Sequence, residues 1–385
     1  EYAVWRDRPI EDVEAAIAAG KPWVLRFRST GSIENKFKYS DLVKGTLTVT
    51  ENDIDQVLLK SDGIPTYHFA HIIDDHFMGT THVVRGEEWL ATLNIHLQLF
   101  RTMGWKAPKY VHTAQLMKMD GGSKRKLSKR KDPELALDFY NAEGYPVPSV
   151  LEYLMTLLNS NFEDWRLANP TAPMGDFQFT TKKMGNSGSL FDIDKLKDVS
   201  KNTISVMSAD QVYDEVTAWA KDFDPQLYTL LTADQQKAKA IFAIGRGGAK
   251  PRKDIAIWSE VKDYVAFFYE ELFTAASEYP ENVSTQDALD ILTQYRSLYS
   301  PADDGETWFN KVRELGESLG FAAKPKDYKK NPDQYKGHVG DVSQVIRLAI
   351  TGRTNSPDLC SVMQILGEEV CQQRLAQAIE LLSNR

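Results

Sequence analysis

The sequence predicts a multi-domain protein in which a partial α/β domain is followed by all-helical domains. Three observations point there. The chain has 385 residues, more than a single hydrophobic core usually organises. Strand, turn and helix patterns alternate up to Asp132, and after Pro133 the apolar spacing turns helical and stays so. Hydrophobic content of 42% and charged content of 26% are globular values, which excludes a wholly disordered chain.

The elements follow in order. Ile10 to Ala19 has helical spacing, and Trp23-Val24-Leu25-Arg26-Phe27-Arg28 has strand character. Val57-Leu58-Leu59 is a short apolar run ending at Ser61-Asp62-Gly63, a strand and then a turn. Thr80 to Gly86 reads as another strand and turn. Trp89, Leu93, Leu97 and Phe100 then recur at spacings of four, four and three, the stripe of one helix face, which Gly104 ends. This order makes half of an open α/β sheet, whose ligands sit at the carboxyl ends of the strands; Arg85 and Glu88 fall there. Beyond Pro133, the segments Val150–Leu158, Trp258–Phe273 and Val342–Ile350 have helical spacing. Residues 167–190 read as a Pro/Gly/Thr-rich connector, 245–254 as a basic flexible link and 323–341 as a Lys-rich polar loop. No internal repeat or low-complexity tract is present.

The net charge of −8 argues against a general polyanion binder. It leaves room for an enzyme that meets nucleic acid through a local basic surface. No apolar run approaches the roughly 18 residues of a membrane span, and no signal-peptide pattern opens the chain; a cytoplasmic protein is expected. A first residue of Glu1 rather than methionine fits a fragment or a processed chain. Cys360 and Cys371, if one helix carried both, would lie roughly 16 Å apart, beyond the ~7 Å a disulfide allows. Two reduced core thiols are expected.

The segment Lys124-Arg125-Lys126-Leu127-Ser128-Lys129-Arg130-Lys131 carries most weight. From 118 to 131 there are seven basic residues and one acid, Asp120, a local balance of +6 in a chain of net −8. Gly121 and Gly122 precede it, so it is expected on a mobile loop. Lysines on such a loop can close over a triphosphate and neutralise charge on departing pyrophosphate. From charge alone, a solvated basic loop, or a generic phosphate or nuclear-localisation patch, is the better explanation of the segment.

The pattern Lys126-Leu127-Ser128-Lys129-Arg130 resembles the KMSKS signature of class I aminoacyl-tRNA synthetases, in the form used by the glutamyl branch. Asp62-Gly63-Ile64-Pro65-Thr66-Tyr67, Asp74-Asp75-His76-Phe77-Met78-Gly79 and Val83-Val84-Arg85-Gly86-Glu87-Glu88-Trp89 precede it in the order of the bacterial-type glutamyl-tRNA synthetases. Ser187 to Leu196 and Ala349-Ile350-Thr351-Gly352-Arg353-Thr354-Asn355-Ser356-Pro357 follow it in the same order. One such match would be weak; six ordered blocks over nearly the whole chain are specific.

The resemblance implies a Rossmann-like catalytic domain and all-α stem-contact and anticodon-binding domains. Residues 1–50 would be the end of the acceptor-stem-binding insertion and 51–116 the second half of the Rossmann-like domain. Residues 117–200 would hold the KMSKS loop and stem-contact domain, with 201–310 and 311–385 as two helical anticodon-binding subdomains. The implied reaction is ATP-dependent activation of glutamate and its transfer to the 3′ end of tRNA(Glu). Lys126, Ser128 and Lys129 would be catalytic, and Glu88, Trp89, Leu116, Lys126 and Lys129 would bind ATP. Tyr67, His71 and Arg85 would hold glutamate, with His71 standing where relatives are expected to carry asparagine. Arg246, Arg252, Lys253, Arg347 and Arg353 would meet tRNA. ATP, Mg2+ carried with it, L-glutamate and tRNA(Glu) are the implied partners of a monomer, with no membrane, no DNA and no structural metal.

The family's His-Ile-Gly-His signature has no match; Gly337-His338-Val339-Gly340 has the letters in another order. The first half of the nucleotide fold is therefore expected upstream, and the chain alone is expected not to catalyse exchange of ATP with pyrophosphate. Alternative readings are a tRNA-binding fragment without catalysis and an enzyme that also charges tRNA(Gln). Further rivals are a nucleotidylyltransferase, which would have no use for the helical half, and a metal site. The last is raised because five of the seven histidines lie between His68 and His96, beside Asp74 and Asp75.

Overall fold

A computed structural model describes residues 4 to 384, which divide into two units. One comprises Glu1–Asp132 with Glu152–Asp192, the other Pro133–Leu151 with Ile193–Arg385.

In the first unit, helix α1 (Ile10–Ala18) and strand β1 (Leu25–Arg26) lead into the antiparallel hairpin β2 (Lys36–Asp41) and β3 (Gly45–Thr50). Alternation along β2 turns Phe37, Tyr39 and Asp41 to the less exposed side. Asp41 stands at the end of the strand, and its Oδ1 accepts the N–H groups of Val43 at 2.9 Å and Lys44 at 2.8 Å. This is the local turn an aspartate favours, and it fixes the carboxylate before any distant residue reaches it. Strand β4 (Val57–Leu59) pairs with β1.

Helix α2 (Tyr67–Phe77) follows, then β5 (His82–Gly86), a 3₁₀ turn over Glu87–Thr92, α3 (Leu93–Thr102) and β6 (Lys109–Thr113). Strands β5 and β6 are parallel, with Val84 opposite Val111 and Arg85 opposite His112. A parallel pair joined through a helix is the βαβ unit of an open α/β sheet. Ile72, Ile95, Leu99 and Phe100 pack with Phe27 and Leu58 to form the core of this unit. Strands β7 (Leu116–Asp120) and β8 (Ser123–Lys126) form a hairpin whose turn residues Gly121 and Gly122 have φ of +55° and +86°. Side chains with a Cβ are disfavoured in that region.

Helix α4 (Leu137–Glu143) belongs to the second unit, and the unit boundary falls within α5 (Val147–Leu158). Helix α6 (Phe162–Ala168) and β9 (Ser189–Leu190), which pairs in parallel with β7, return to the first unit. The rest of the second unit is helical: α7 (Ile193–Ser205), α8 (Ala209–Phe223), α9 (Pro225–Ala233), α10 (Gln235–Ala243), α11 (Val261–Val265), α12 (Thr285–Leu298), α13 (Gly305–Ser318), α14 (Pro325–Lys330), α15 (Val339–Thr351), α16 (Leu359–Leu366) and α17 (Glu368–Ser383). Local caps set their starts. Ser208 and Gln211 close a reciprocal box on α8, Asp224 precedes Pro225 at the first turn of α9, and Asp304 caps α13. Helix α15 ends at Gly352, φ +70°, where an added Cβ would lie 2.0 Å from the Thr274 carbonyl oxygen. A continuous core runs through Val216, Phe242, Ile291, Tyr295, Val342, Ile346, Val362 and Leu375.

Several expectations need correction. The strand at Trp23–Arg28 is only Leu25–Arg26. The helix expected from Trp89 begins at Leu93, because Glu87–Thr92 is wound as a 3₁₀ turn. Leu97 is only half-buried, while Ile95, His96, Gln98 and Leu99 are buried, so α3 is covered on more than one stripe. Trp258–Phe273 is broken into two 3₁₀ turns around the short α11. The loop at 323–341 contains α14, started by Pro325. The basic segment is strand as far as Lys126, and Leu127 is 3% exposed, so only Ser128 onward is loop. Cys360 and Cys371 are buried and free, and they sit on two helices separated by Gly367. Among the described residues no helix is long and apolar enough to cross a membrane.

Candidate active site

Arg85 is the centre of the first unit's polar interior. It lies on β5, beside His112 of β6, one residue before the strand ends. Its Nε donates to His112 Nε2 at 3.0 Å, Nη1 to His96 Nδ1 at 3.1 Å and Nη2 to the Trp89 carbonyl at 3.3 Å. The guanidinium also lies over the Tyr110 ring, 4.7 Å from its centroid, a cation–π contact. Two of its five N–H donors have no partner among the described residues, and it makes no ion pair with a carboxylate there.

Arginine can only donate, so it dictates the tautomers around it. His112 offers the Nε2 lone pair, which puts its ring proton on Nδ1, 2.7 Å from Asp41 Oδ2. His96 offers Nδ1, so its proton is on Nε2, donated to His68 Nδ1 at 2.9 Å. A continuous line of hydrogen bonds therefore runs Asp41, His112, Arg85, His96, His68. His112 and the Asp41 side chain are fully buried. Burial pushes the Asp41 carboxyl up, but the bonds from His112 and the Lys44 and Val43 amides outweigh it and leave it below the ordinary range.

An aromatic wall stands beside the guanidinium. Tyr67, at the start of α2, packs on Trp89 with centroids 4.5 Å apart and stacks on His71 at 5.7 Å. His71 Nε2 lies 2.9 Å from the Tyr110 hydroxyl. Its Nδ1 lies 3.0 Å from Asp75 Oδ2, at an angle that leaves this oxygen outside hydrogen-bond geometry. Tyr67 is 47% exposed, so the wall faces open space rather than sealed core.

The second group lies on the β7–β8 hairpin. Lys126 Nζ is 3.9 Å from Glu88 Oε1, with both side chains about half exposed; such a pair is worth at most ~1 kcal/mol and is easily exchanged for another anion. Gln115 reaches Glu88 at 3.5 Å, and Leu116 accepts the Leu127 N–H at 3.1 Å. Neighbouring Glu87 pairs with Lys44, which also donates to the Asn186 carbonyl at 2.7 Å. Lys129, Arg130 and Lys131 are exposed.

The structure thus brings Tyr67, His71, Arg85 and Trp89 together and sets Lys126 beside Glu88, while Leu116 bonds Leu127, the next residue after Lys126. Trp89 sits in the first group rather than with Glu88. Of the basic residues expected on the helical half, Arg246 donates to the Phe242 and Ile204 carbonyls at 2.6 Å each, and Arg347 to those of Ser356 and Pro357. Arg252 is forked onto Asp254 and Arg353 onto Asp263. Lys253 is exposed. The sequence reading missed Asp41, His96, His112 and Tyr110. The Asp-Leu-Val-Lys-Gly turn could have signalled a pinned aspartate, and Tyr110 and His112 share one face by strand alternation; their convergence on Arg85 has no local signal. The five histidines that suggested a metal site part company: His96 gives its Nδ1 lone pair to Arg85 and bonds His68, His71 meets the Tyr110 hydroxyl, His76 stacks on Trp105 and His82 meets the Thr81 hydroxyl. Among the described residues, no group of three or more His, Cys, Asp or Glu could hold a metal ion.

The profile of the family described as "tRNA synthetases class I (E and Q), catalytic domain" matches residues 5–198, and that of "Anticodon binding domain" matches 211–379. The glutamate–tRNA ligase of Acetivibrio thermocellus is 48% identical over 379 residues, covering 98% of this chain and 69% of that protein. The chain belongs to the glutamate–tRNA ligase family. That of Clostridium beijerinckii is 47% identical over 99% of this chain and 70% of its own length. A crystal structure of a glutamate tRNA ligase from Elizabethkingia meningosepticum, in complex with its amino acid, superposes with a TM-score of 0.71. It is 25% identical, over 97% of this chain and 71% of that one. The family places the chain among the aminoacyl-tRNA synthetases, and the class I enzymes use ATP.

The buried histidines give this glutamate–tRNA ligase family member a pH dependence of defined sign. Burial first, then His71 and the Arg85 charge, lower His96 from 6.5 to about 2. Burial lowers His68 and His71 as well. The folded state keeps His96 neutral where the unfolded chain takes up a proton. Its contribution to stability is therefore complete above pH 6.5 and drains away as the pH falls, by about 1.4 kcal/mol per pH unit. Chemical denaturation at pH 7.5 and 5.5 should show that loss, and His96→Gln should lose less on acidification while being weaker at pH 7.5. Equal acid sensitivity of the two proteins would refute this.

Proposed function

We propose that the Arg85 pocket binds L-glutamate and that the β7–β8 hairpin binds ATP, in the activation of glutamate and its transfer to the 3′ end of tRNA(Glu). The observation that supports this most is a guanidinium held by two imidazoles and a carbonyl, with two N–H donors left over and no carboxylate of its own. A planar fork of donors in a half-buried pocket suits a carboxylate, which accepts two parallel bonds. Tyr67 and His71 would wall the side chain of the amino acid.

In the reaction, an oxygen of the glutamate α-carboxylate attacks the α-phosphorus of ATP and pyrophosphate departs. A ribose hydroxyl at the tRNA 3′ end then attacks the acyl carbon, and AMP departs. Lys126 and Lys129 would bind the phosphates and balance charge on the departing pyrophosphate, with Ser128 in the same loop. Lys126 would trade Glu88 for phosphate. Glu88 and Leu116 would line the nucleotide side, with Trp89 on the wall of the Arg85 pocket, and Mg2+ would come with ATP, held mainly by its phosphates. On the helical half, Lys253 and an Arg353 released from Asp263 are the candidates for tRNA, since an arginine plane can stack on a splayed base. Contacts through Arg246, Arg252 or Arg347 would compete with the bonds each already makes. We place the protein in the cytoplasm as a monomer.

Exchange of radiolabelled pyrophosphate into ATP by the full-length protein, rather than by these 385 residues alone, with tRNA present, tests the reading. Glutamate should support exchange, and aspartate, one methylene shorter, should not. Exchange supported equally by both would refute it.

A further inference from the structure

Asp132 stands outside every role assigned above, yet it is the most heavily bonded carboxylate of the basic segment. Its side chain is 1% exposed. It accepts Arg125 Nη1 at 2.7 Å and Nη2 at 2.8 Å, and the Ser128 N–H at 2.7 Å, and Lys118 Nζ lies 3.7 Å away. Its own N–H donates to the Ser128 carbonyl at 2.9 Å. Arg125 is held from the other side by Asp120, at 2.6 Å from Nε. The two ends of the stretch 125–132 are thus locked by one fork-on-fork ion pair, with Leu127 buried as an anchor between them.

We propose that Asp132 is a positioning residue that holds the Lys126–Lys129 loop in its phosphate-ready shape; the proposal rests on the ATP role given to that loop. The stretch between the clamp residues carries Lys126, Lys129, Arg130 and Lys131 and no acid. Like charges so close together repel, and an unclamped loop would spread. Asp132 neutralises Arg125 and leaves Lys126, Lys129, Arg130 and Lys131 exposed. Its bond to the Ser128 N–H sets the backbone between Lys126 and Lys129, so the spacing of those two ammonium groups depends on it. Bidentate geometry matters as well as charge, since the fork fixes direction. Burial of the Asp132 carboxylate reduces the screening of the pair by salt.

Limited trypsin digestion of the intact protein reads the clamp directly, because five trypsin sites lie from Arg125 to Lys131. Asp132→Asn keeps the volume and an acceptor for Ser128 but loses the charge and the second oxygen. It should be cut within 125–131 at least about tenfold faster than the parent, because cleavage follows local opening. Sites elsewhere should be cut at the parent rate. Asp132→Ala should be cut faster still, and if it does not fold, Asp132→Asn still decides. Pyrophosphate exchange by Asp132→Asn should show a lower kcat with the KM for glutamate unchanged, a split that a general loss of structure would not give. Cleavage of Asp132→Asn at the parent rate, or faster cleavage with kcat intact, would overturn the proposal. If the parent shows no glutamate-dependent exchange, the functional reading fails on its own, and the digestion alone decides whether the clamp exists.

Discussion

Replacing Arg85 with alanine is expected to lower kcat/KM for glutamate in pyrophosphate exchange by on the order of 10³-fold, since truncating one partner of a buried charged pair costs ~2–5 kcal/mol. Two losses add. The substrate carboxylate loses its fork, and the lone pairs of His112 Nε2 and His96 Nδ1, which now accept from Arg85, are left without a donor in a buried site. Lysine keeps the charge but not the planar fork. Arg85→Lys should therefore raise the KM for glutamate by roughly tenfold or more, because it cannot serve both imidazoles and the substrate. The KM for ATP is the internal control and should stay near that of the parent. A glutamate KM unchanged in Arg85→Lys would remove the assignment, because the geometry requires more than a positive charge.

Replacing Lys129 with alanine is expected to act on the other half of the rate expression. Its role is to meet charge that grows as pyrophosphate leaves, so its contribution is larger in the transition state than in the ground state. Loss of one such group typically costs about 10²–10³ in kcat. The KM for glutamate should not change, and that for ATP only modestly. Lys126→Ala should affect ATP affinity more than Lys129→Ala does. Arg130→Ala, which removes an equally exposed cation of the same loop, should have a small effect and so separates position from charge. Equal losses in Arg130→Ala and Lys129→Ala would reduce the loop to a diffuse electrostatic patch.

Much of this was legible from residue order. Val57–Leu59 and the strand at His82–Gly86 appear where short apolar runs meet turn residues. Helices dominate beyond Pro133, where caps such as Ser208 and Asp304 are written locally. The boundaries missed share one cause. The 3₁₀ turn at Glu87–Thr92 lies at a strand's carboxyl end, where its Trp89 carbonyl accepts a bond from Arg85 that residue order does not reveal. Trp258–Phe273 has helical spacing but is buried through Trp258, Val261, Val265, Phe267 and Phe268 against a larger core, and packing overrides a weak local preference. The basic segment looked like a free loop because its glycines were visible, whereas the pairing of Met117 with Lys126 and of Lys118 with Arg125 was not.

The sequence by itself determined what depends on near neighbours: the order of strand and helix, the turn that pins Asp41, the concentration of positive charge from Lys118 to Lys131, and the ordered blocks that carry the family resemblance. Only the tertiary structure decided which residues share a hydrogen bond across long separations. Asp41 and His112 are 71 positions apart, Arg85 and His112 are 27 apart, and these contacts turn an arginine into an oriented donor. The physical reason is that backbone propensity and charge density act within a turn or two of chain. The direction of a guanidinium, the tautomer of a histidine and the shape of a phosphate loop are set by whichever distant groups folding brings within 3 Å, about the reach of a hydrogen bond.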